Sequence, residues 1–90
     1  MANKKVLLSP RAQKEYNALQ QDIKDRIKKS LNELAAGSKR LDTKKLKGIG
    51  DREDLFRLRV GDYRIIYYPE SDIINVIRIE HRGKGYKWLE

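Results

Sequence analysis

Apolar residues along this chain of 90 residues change their spacing once, near the middle. In the first half they recur every three or four positions, and from Leu55 onward they alternate with polar ones. The run KVLL at residues 5–8 reads as a short strand. Ser9-Pro10 follows, a helix N-cap with proline at the first helical position, where its missing N–H costs nothing. Ala12, Tyr16 and Leu19 then share one helical face, which predicts a helix ending about Leu19. Asp22, with Asp25 three residues on, is the candidate cap of a second helix. Its apolar stripe is Ile23, Ile27, Leu31, Leu34 and Ala35, and Gly37 is a natural stop. So short a connection predicts an antiparallel helical hairpin.

Residues 38–54, SKRLDTKKLKGIGDRED, hold no sustained period and read as a basic loop containing at most a turn of helix. Residues 55–60, 63–68 and 73–81 are β-rich. Gly61-Asp62 separates the first two as a two-residue hairpin turn, and Pro69-Glu70-Ser71-Asp72 separates the last two. That turn sets Val60 opposite Tyr63, Arg59 opposite Arg64, Leu58 opposite Ile65 and Arg57 opposite Ile66. One face then carries Phe56, Leu58, Val60, Tyr63, Ile65 and Tyr67 toward the helices. The other carries Arg57, Arg59 and Arg64, with Ile66 and Tyr68 beyond. Residues 73–81 place apolar side chains on both faces, as an interior strand does. The expected fold is α+β: an N-terminal strand, a two-helix hairpin and a three-stranded antiparallel meander (β-α-α-β-β-β), one domain over residues 1–90.

The arginine face is the puzzle, because like charges directly opposed across strands are destabilising. A solvated outer face paired with Asp62 or Glu80 is one reading. A phosphate clamp is the other, since guanidinium groups stay ionised and match phosphate oxygens with a planar fork. Charge favours a polyanion: the chain carries +8, all of it within residues 1–50, while residues 51–90 balance to zero. The closing segment EHRGKGYKW interleaves Arg82, Lys84, Tyr86 and Trp88, a pattern in which bases stack on rings while phosphates are held. Trp88 itself reads as a packed tail residue. With no cysteine and a single histidine, His81, neither a thiolate centre nor a histidine metal site is expected. No apolar run approaches a membrane span and no signal segment is visible, so a cytoplasmic protein without a membrane partner is expected. Gly48-x-Gly50 and Gly83-x-Gly85 are too fragmentary for a dinucleotide site.

Taken in order, the strand into SPRAQKEY, the segment LKGIGDREDLFRLRV, the turn and strand GDYRIIYY and the closing IEHRGKGYKW resemble the RelE/ParE superfamily of bacterial and archaeal toxins. The resemblance spans nearly the whole chain and implies a microbial-RNase-like fold. RelE-type members are ribosome-dependent endoribonucleases (mRNA interferases) that cut mRNA in the A site without a metal or cofactor. ParE-type members share the fold and inhibit DNA gyrase. Carried over by position, Arg57 and Arg59 resemble the strand bases, Arg64 the turn arginine and Arg82 the last-strand arginine. Tyr86 is the candidate C-terminal tyrosine. Lys45, Lys47 and Lys84 are expected to add RNA contacts. For proton transfer the candidates are Tyr86 and His81; histidine has the better intrinsic pKa, tyrosine at about 10 needs cationic help, and His81 by parity points away from Arg82. The resemblance also implies an acidic, RelB-like antitoxin as partner.

Overall fold

The computed structural model describes residues 3–46 and 55–84. The first strand, β1 (Lys5–Leu8), runs into Ser9, which turns the chain into α1 (Pro10–Asn17) through three bonds. Its N–H donates to the Val76 carbonyl at 2.8 Å, and its Oγ accepts from the Ala12 N–H at 3.0 Å. The same hydroxyl donates to the Ile77 carbonyl at 3.1 Å, so one side chain caps the helix and pins it to a distant strand.

The second helix, α2 (Gln21–Ala35), begins one residue before the expected cap. Gln20 already holds the extended N-cap conformation, so Asp22 falls inside the first turn and acts through its charge rather than as a cap. The C-terminus closes as expected on Gly37, at φ +83°. The Ser38 N–H donates to the Glu33 carbonyl and the Gly37 N–H to the Leu34 carbonyl, the paired bonds of a Schellman end. Tyr16 Oη donates to the Lys24 carbonyl at 3.3 Å and ties the two helices together.

The expected N-terminal strand and three-stranded meander are present, and with one further short strand they form a single five-stranded sheet. They are β1, β2 (Thr43–Lys45), β3 (Phe56–Val60), β4 (Tyr63–Glu70) and β5 (Ile73–His81), in the order β1-β5-β4-β3-β2. A short 3-10 turn (Arg82–Lys84) follows β5. β1 lies parallel to β5, and the remaining pairs are antiparallel. The segment expected to be a basic loop supplies β2, exposed at all three positions. It has no apolar alternation to betray it; its order comes from backbone pairing with β3, and its lysines blunt an edge that invites further pairing. The turn of helix expected within residues 38–54 does not occur in residues 38–46, and residues 47–54 lie outside the described residues.

β5 is interior, between β1 and β4, as expected. Its apolar residues occupy both parities for a specific reason. A bulge between Ile66/Tyr67 and their partners leaves Ile77 unpaired, so the strand switches parity there. Ile74, Val76 and Ile79 therefore all face the helices. They join Ala12, Ile27, Leu31, Leu58, Ile65 and Tyr67 in the core, with Val6, Leu8, Ile23, Leu34, Phe56, Val60 and Tyr63 packed around it. Among the described residues no helix is long and apolar enough to cross a membrane.

The hairpin register is the expected one at every position from Phe56↔Tyr67 to Val60↔Tyr63. Gly61 sits at φ +57° and among the described residues no non-glycine residue has positive φ, which makes the turn type II′, with glycine required at its first central position. An added Cβ there would also lie 2.8 Å from Arg26 Nη2, a flexible side-chain end. Gly61→Ala is expected to lower stability by about 1 kcal/mol, read as a lower urea midpoint at unchanged slope.

Candidate nucleic-acid interface

The register arranges the sheet face away from the helices as two rows. One row runs Arg59–Arg64–Glu80 across β3, β4 and β5; the next runs Lys44–Arg57–Ile66–Arg78 across β2 to β5. Lys44, Leu46, Arg57, Arg59 and Arg64 line one concavity of about 260 Å³. Four cations around so small a volume attract an anion into it. The face is nevertheless not simply a wetted surface: Ile66, between Arg57 and Arg78, is fully buried.

Each arginine is held differently. Arg57 is mostly buried, and its Nη2 lies 3.3 Å from Asp42 Oδ1. The Asp42 carbonyl in turn accepts from the Arg59 N–H at 2.9 Å, which docks the segment before β2 against β3. Arg59 is exposed and Arg64 half-buried, so both open toward the concavity they line. Arg82 lies beyond the sheet: its N–H donates to the Asp62 carbonyl at 2.7 Å, and its Nη1 is 3.7 Å from Asp62 Oδ1. That exposed pair is weak and readily exchanged for another anion.

Two expected site residues, His81 and Lys45, are placed elsewhere. His81 pairs with Tyr63 in register, and their rings meet edge-on at 5.2 Å, on the helix side of the sheet. It lines a second concavity, with Arg11, Glu15, Tyr63, Arg78 and Glu80, whereas Arg57, Arg59 and Arg64 line the first. Lys45 pairs with Phe56 and shares its face, so Lys44, one residue earlier, takes the place expected for it among the cations. Lys84 contributes its backbone to the turn after β5. Lys47, Tyr86 and Trp88 lie outside the described residues. Tyr67 is no substitute for Tyr86: burial pushes its phenol above the usual value, against the opposing pull of a hydrogen bond with the Thr43 side chain. It also faces the core. Among the described residues no cluster of three or more His, Cys, Asp or Glu could hold a metal ion.

Comparison with known proteins bears on this geometry. The model of the family described as the ParE toxin of type II toxin–antitoxin systems matches residues 6–86, nearly the whole chain. The chain belongs to this toxin family. Its fold is that of solved RelE structures. The archaeal RelE in complex with RelB from Pyrococcus horikoshii is 27% identical, with a TM-score of 0.74, over 93% of this chain and 100% of that one. RelE of the RelB–RelE complex from Methanococcus jannaschii is 29% identical, with a TM-score of 0.72, over 93% and 99%. The isolated E. coli RelE toxin, 22% identical with a TM-score of 0.70 over 94% and 90%, shares the fold. No curated protein matches the chain.

The sequence pattern offered Glu80 as a counter-charge for this face of the toxin but did not point to Lys44 or Arg78 as members of it. Lys44 sits on a strand with no periodic signal. Arg78 and Glu80 lie just past the bulge, where counting by twos from Ile74 puts them with the wrong neighbours.

Proposed function

We propose that this toxin is a ribosome-dependent endoribonuclease that cuts mRNA in the A site, holding the RNA backbone on the cationic face of its sheet. The observation that supports this reading is the concavity lined by Lys44, Arg57, Arg59 and Arg64. Attack of a ribose 2′-hydroxyl on the adjacent phosphorus builds negative charge on the phosphoryl oxygens. Fixed guanidinium groups lower that barrier most when they are aimed before the reaction begins. Arg64 is assigned to that charge, joined by Arg82 once it leaves Asp62. Arg59 and Lys44 hold the flanking phosphates. Arg57, tied to Asp42, holds the wall of the groove as much as the RNA. One proton must leave the 2′-hydroxyl and one must reach the departing 5′-oxygen; Tyr86 is assigned to this transfer, because His81 faces the helices. No cofactor enters the scheme.

Under the same reading the toxin works in the cytoplasm, as a single domain. Its partner is an acidic, RelB-like antitoxin, attracted by the +8 charge and competing with RNA for the arginine face. A second reading, inhibition of DNA gyrase without nuclease chemistry, is favoured by the ParE description of the matching family. Brief induction separates the two. The ribonuclease reading expects new mRNA ends inside codons within minutes, with plasmid supercoiling unchanged. Intact mRNA together with altered supercoiling selects the gyrase reading.

A further inference from the structure

Glu80 is a carboxylate where the proposed chemistry wants cations. It is 4% exposed and occupies the end of the row Arg59–Arg64–Glu80. A buried carboxylate is unfavourable unless cations surround it, so its place in this row needs a reason. One cation is Arg78, whose Nη2 lies 2.7 Å from Glu80 Oε1. Arg78 is itself held from the other side: its Nε donates to Glu15 Oε2 at 3.2 Å. Glu15 is fixed in turn, because its Oε1 accepts the Ile79 N–H at 2.8 Å where β5 has run past the end of β1. The series Glu15–Arg78–Glu80 therefore runs from α1, around the open edge of β5, onto the arginine face. There the residue directly across from Glu80 on β4 is Arg64. Opposed residues on neighbouring strands have Cβ atoms about 4.5–5.5 Å apart, within easy reach for a carboxylate and a guanidinium.

On this geometry we infer that Glu80 is a positioning residue: it fixes the guanidinium of Arg64 from across the sheet, anchored through Arg78 and Glu15 to α1. The inference rests on the ribonuclease reading for its kinetic consequence but not for its structural one. The guanidinium that meets developing charge must be aimed before the substrate arrives, and Arg59, of like sign on its other flank, pushes rather than holds it. A carboxylate on the β5 side supplies a restraint of the opposite sign. It also lowers the net positive charge of the face, so removing it has opposite effects on binding and on chemistry.

The test uses purified wild type, Glu80→Gln, Glu80→Asp, Arg64→Ala and the double variant Arg64→Ala/Glu80→Gln on mRNA-programmed ribosomes. Glu80→Gln is expected to lower the cleavage rate at saturation by about tenfold, with half-saturation at an equal or lower toxin concentration. Glu80→Asp, which keeps the charge, is expected to recover part of that rate. In the Arg64→Ala background, Glu80→Gln is expected to change the rate by less than about twofold, because the group it aims is gone. Equal losses in both backgrounds, or a wild-type rate for Glu80→Gln, overturn the inference. If Glu80→Gln does not fold, Glu80→Asp carries the same comparison. Inactivity of the wild type removes the ribonuclease reading instead. The Arg64 Nε–H resonance then decides: protection from exchange in wild type that is lost in Glu80→Gln supports positioning, and identical exchange contradicts it.

Discussion

Arg64→Ala is expected to lower the rate of mRNA cleavage on the ribosome by roughly 10²–10³-fold, a loss far out of proportion to its effect on stability. The magnitude is that of removing one preorganised donor from developing transition-state charge. The selectivity follows from where Arg64 stands. It is half-buried at the concavity, in the middle of a row whose other members are Arg59 and Glu80, and it is not part of the core. Truncating it relieves its opposition to Arg59 but takes a cation from beside the buried Glu80, so the melting temperature falls by a smaller amount than for a core truncation. Arg59→Ala, at an exposed position on the same row, is expected to act mainly on binding and to reduce its salt dependence, as loss of a phosphate contact does. Single-turnover kinetics at two salt concentrations, with thermal melting of the same preparations, check both. An unchanged rate for Arg64→Ala removes it from the chemistry.

Ile65→Ala, one residue along β4, is expected to do the reverse. Ile65 is fully buried, opposite Leu58 on one side and Ile79 on the other, beneath the helices. Truncation there removes apolar contacts and leaves a cavity that a central strand cannot close, at a cost of about 2–5 kcal/mol. Against a total stability of about 5–15 kcal/mol for a domain, that is a large share. For a chain of this length each kcal/mol shifts the melting temperature by about 4–8 °C, so the midpoint falls by roughly 10 °C or more. Chemical denaturation should show a lower midpoint at unchanged slope, and the molecules that remain folded should cleave at the wild-type rate. The adjacent pair Arg64 and Ile65 thus separates function from stability, because alternate residues of one strand look to opposite faces. A slow folded fraction in Ile65→Ala, or strong destabilisation by Arg64→Ala, breaks that separation.

What the sequence alone could convey depended on whether the controlling contact was local. The hairpin was legible to the residue, since Gly61-Asp62 sets both the turn type and the register, and with it the opposition of Arg59 and Arg64. The apolar stripe of α2 was legible for the same reason: the helical period is a property of neighbours. β2 was not, because Thr43, Lys44 and Lys45 are all exposed and become a strand only by bonding to β3. The parallel pairing of β1 with β5 joins residues from opposite ends of the chain, and no local pattern announces it. The bulge at Ile77 mattered most for the site. It shifts parity partway along β5, placing Glu80 and Arg78 on the arginine face and His81 with Tyr63 on the helix side. Glu80 could be named from the sequence as a possible partner of the arginines, but its place directly opposite Arg64 depends on that bulge. The opposition of Arg59 and Arg64, for which the sequence offered either a bound phosphate or pairing with Asp62 or Glu80, has Glu80 as its neighbour of opposite charge in the same row.

The most direct measurement is end-mapping of an mRNA held on purified ribosomes, once with natural ribose and once with a single 2′-deoxy residue at the cut site. The account predicts cleavage at a defined position in the A-site codon, abolished by that one missing hydroxyl and by Arg64→Ala. Cleavage that persists on the deoxy-substituted message, or no cleavage by the wild-type toxin at all, contradicts it.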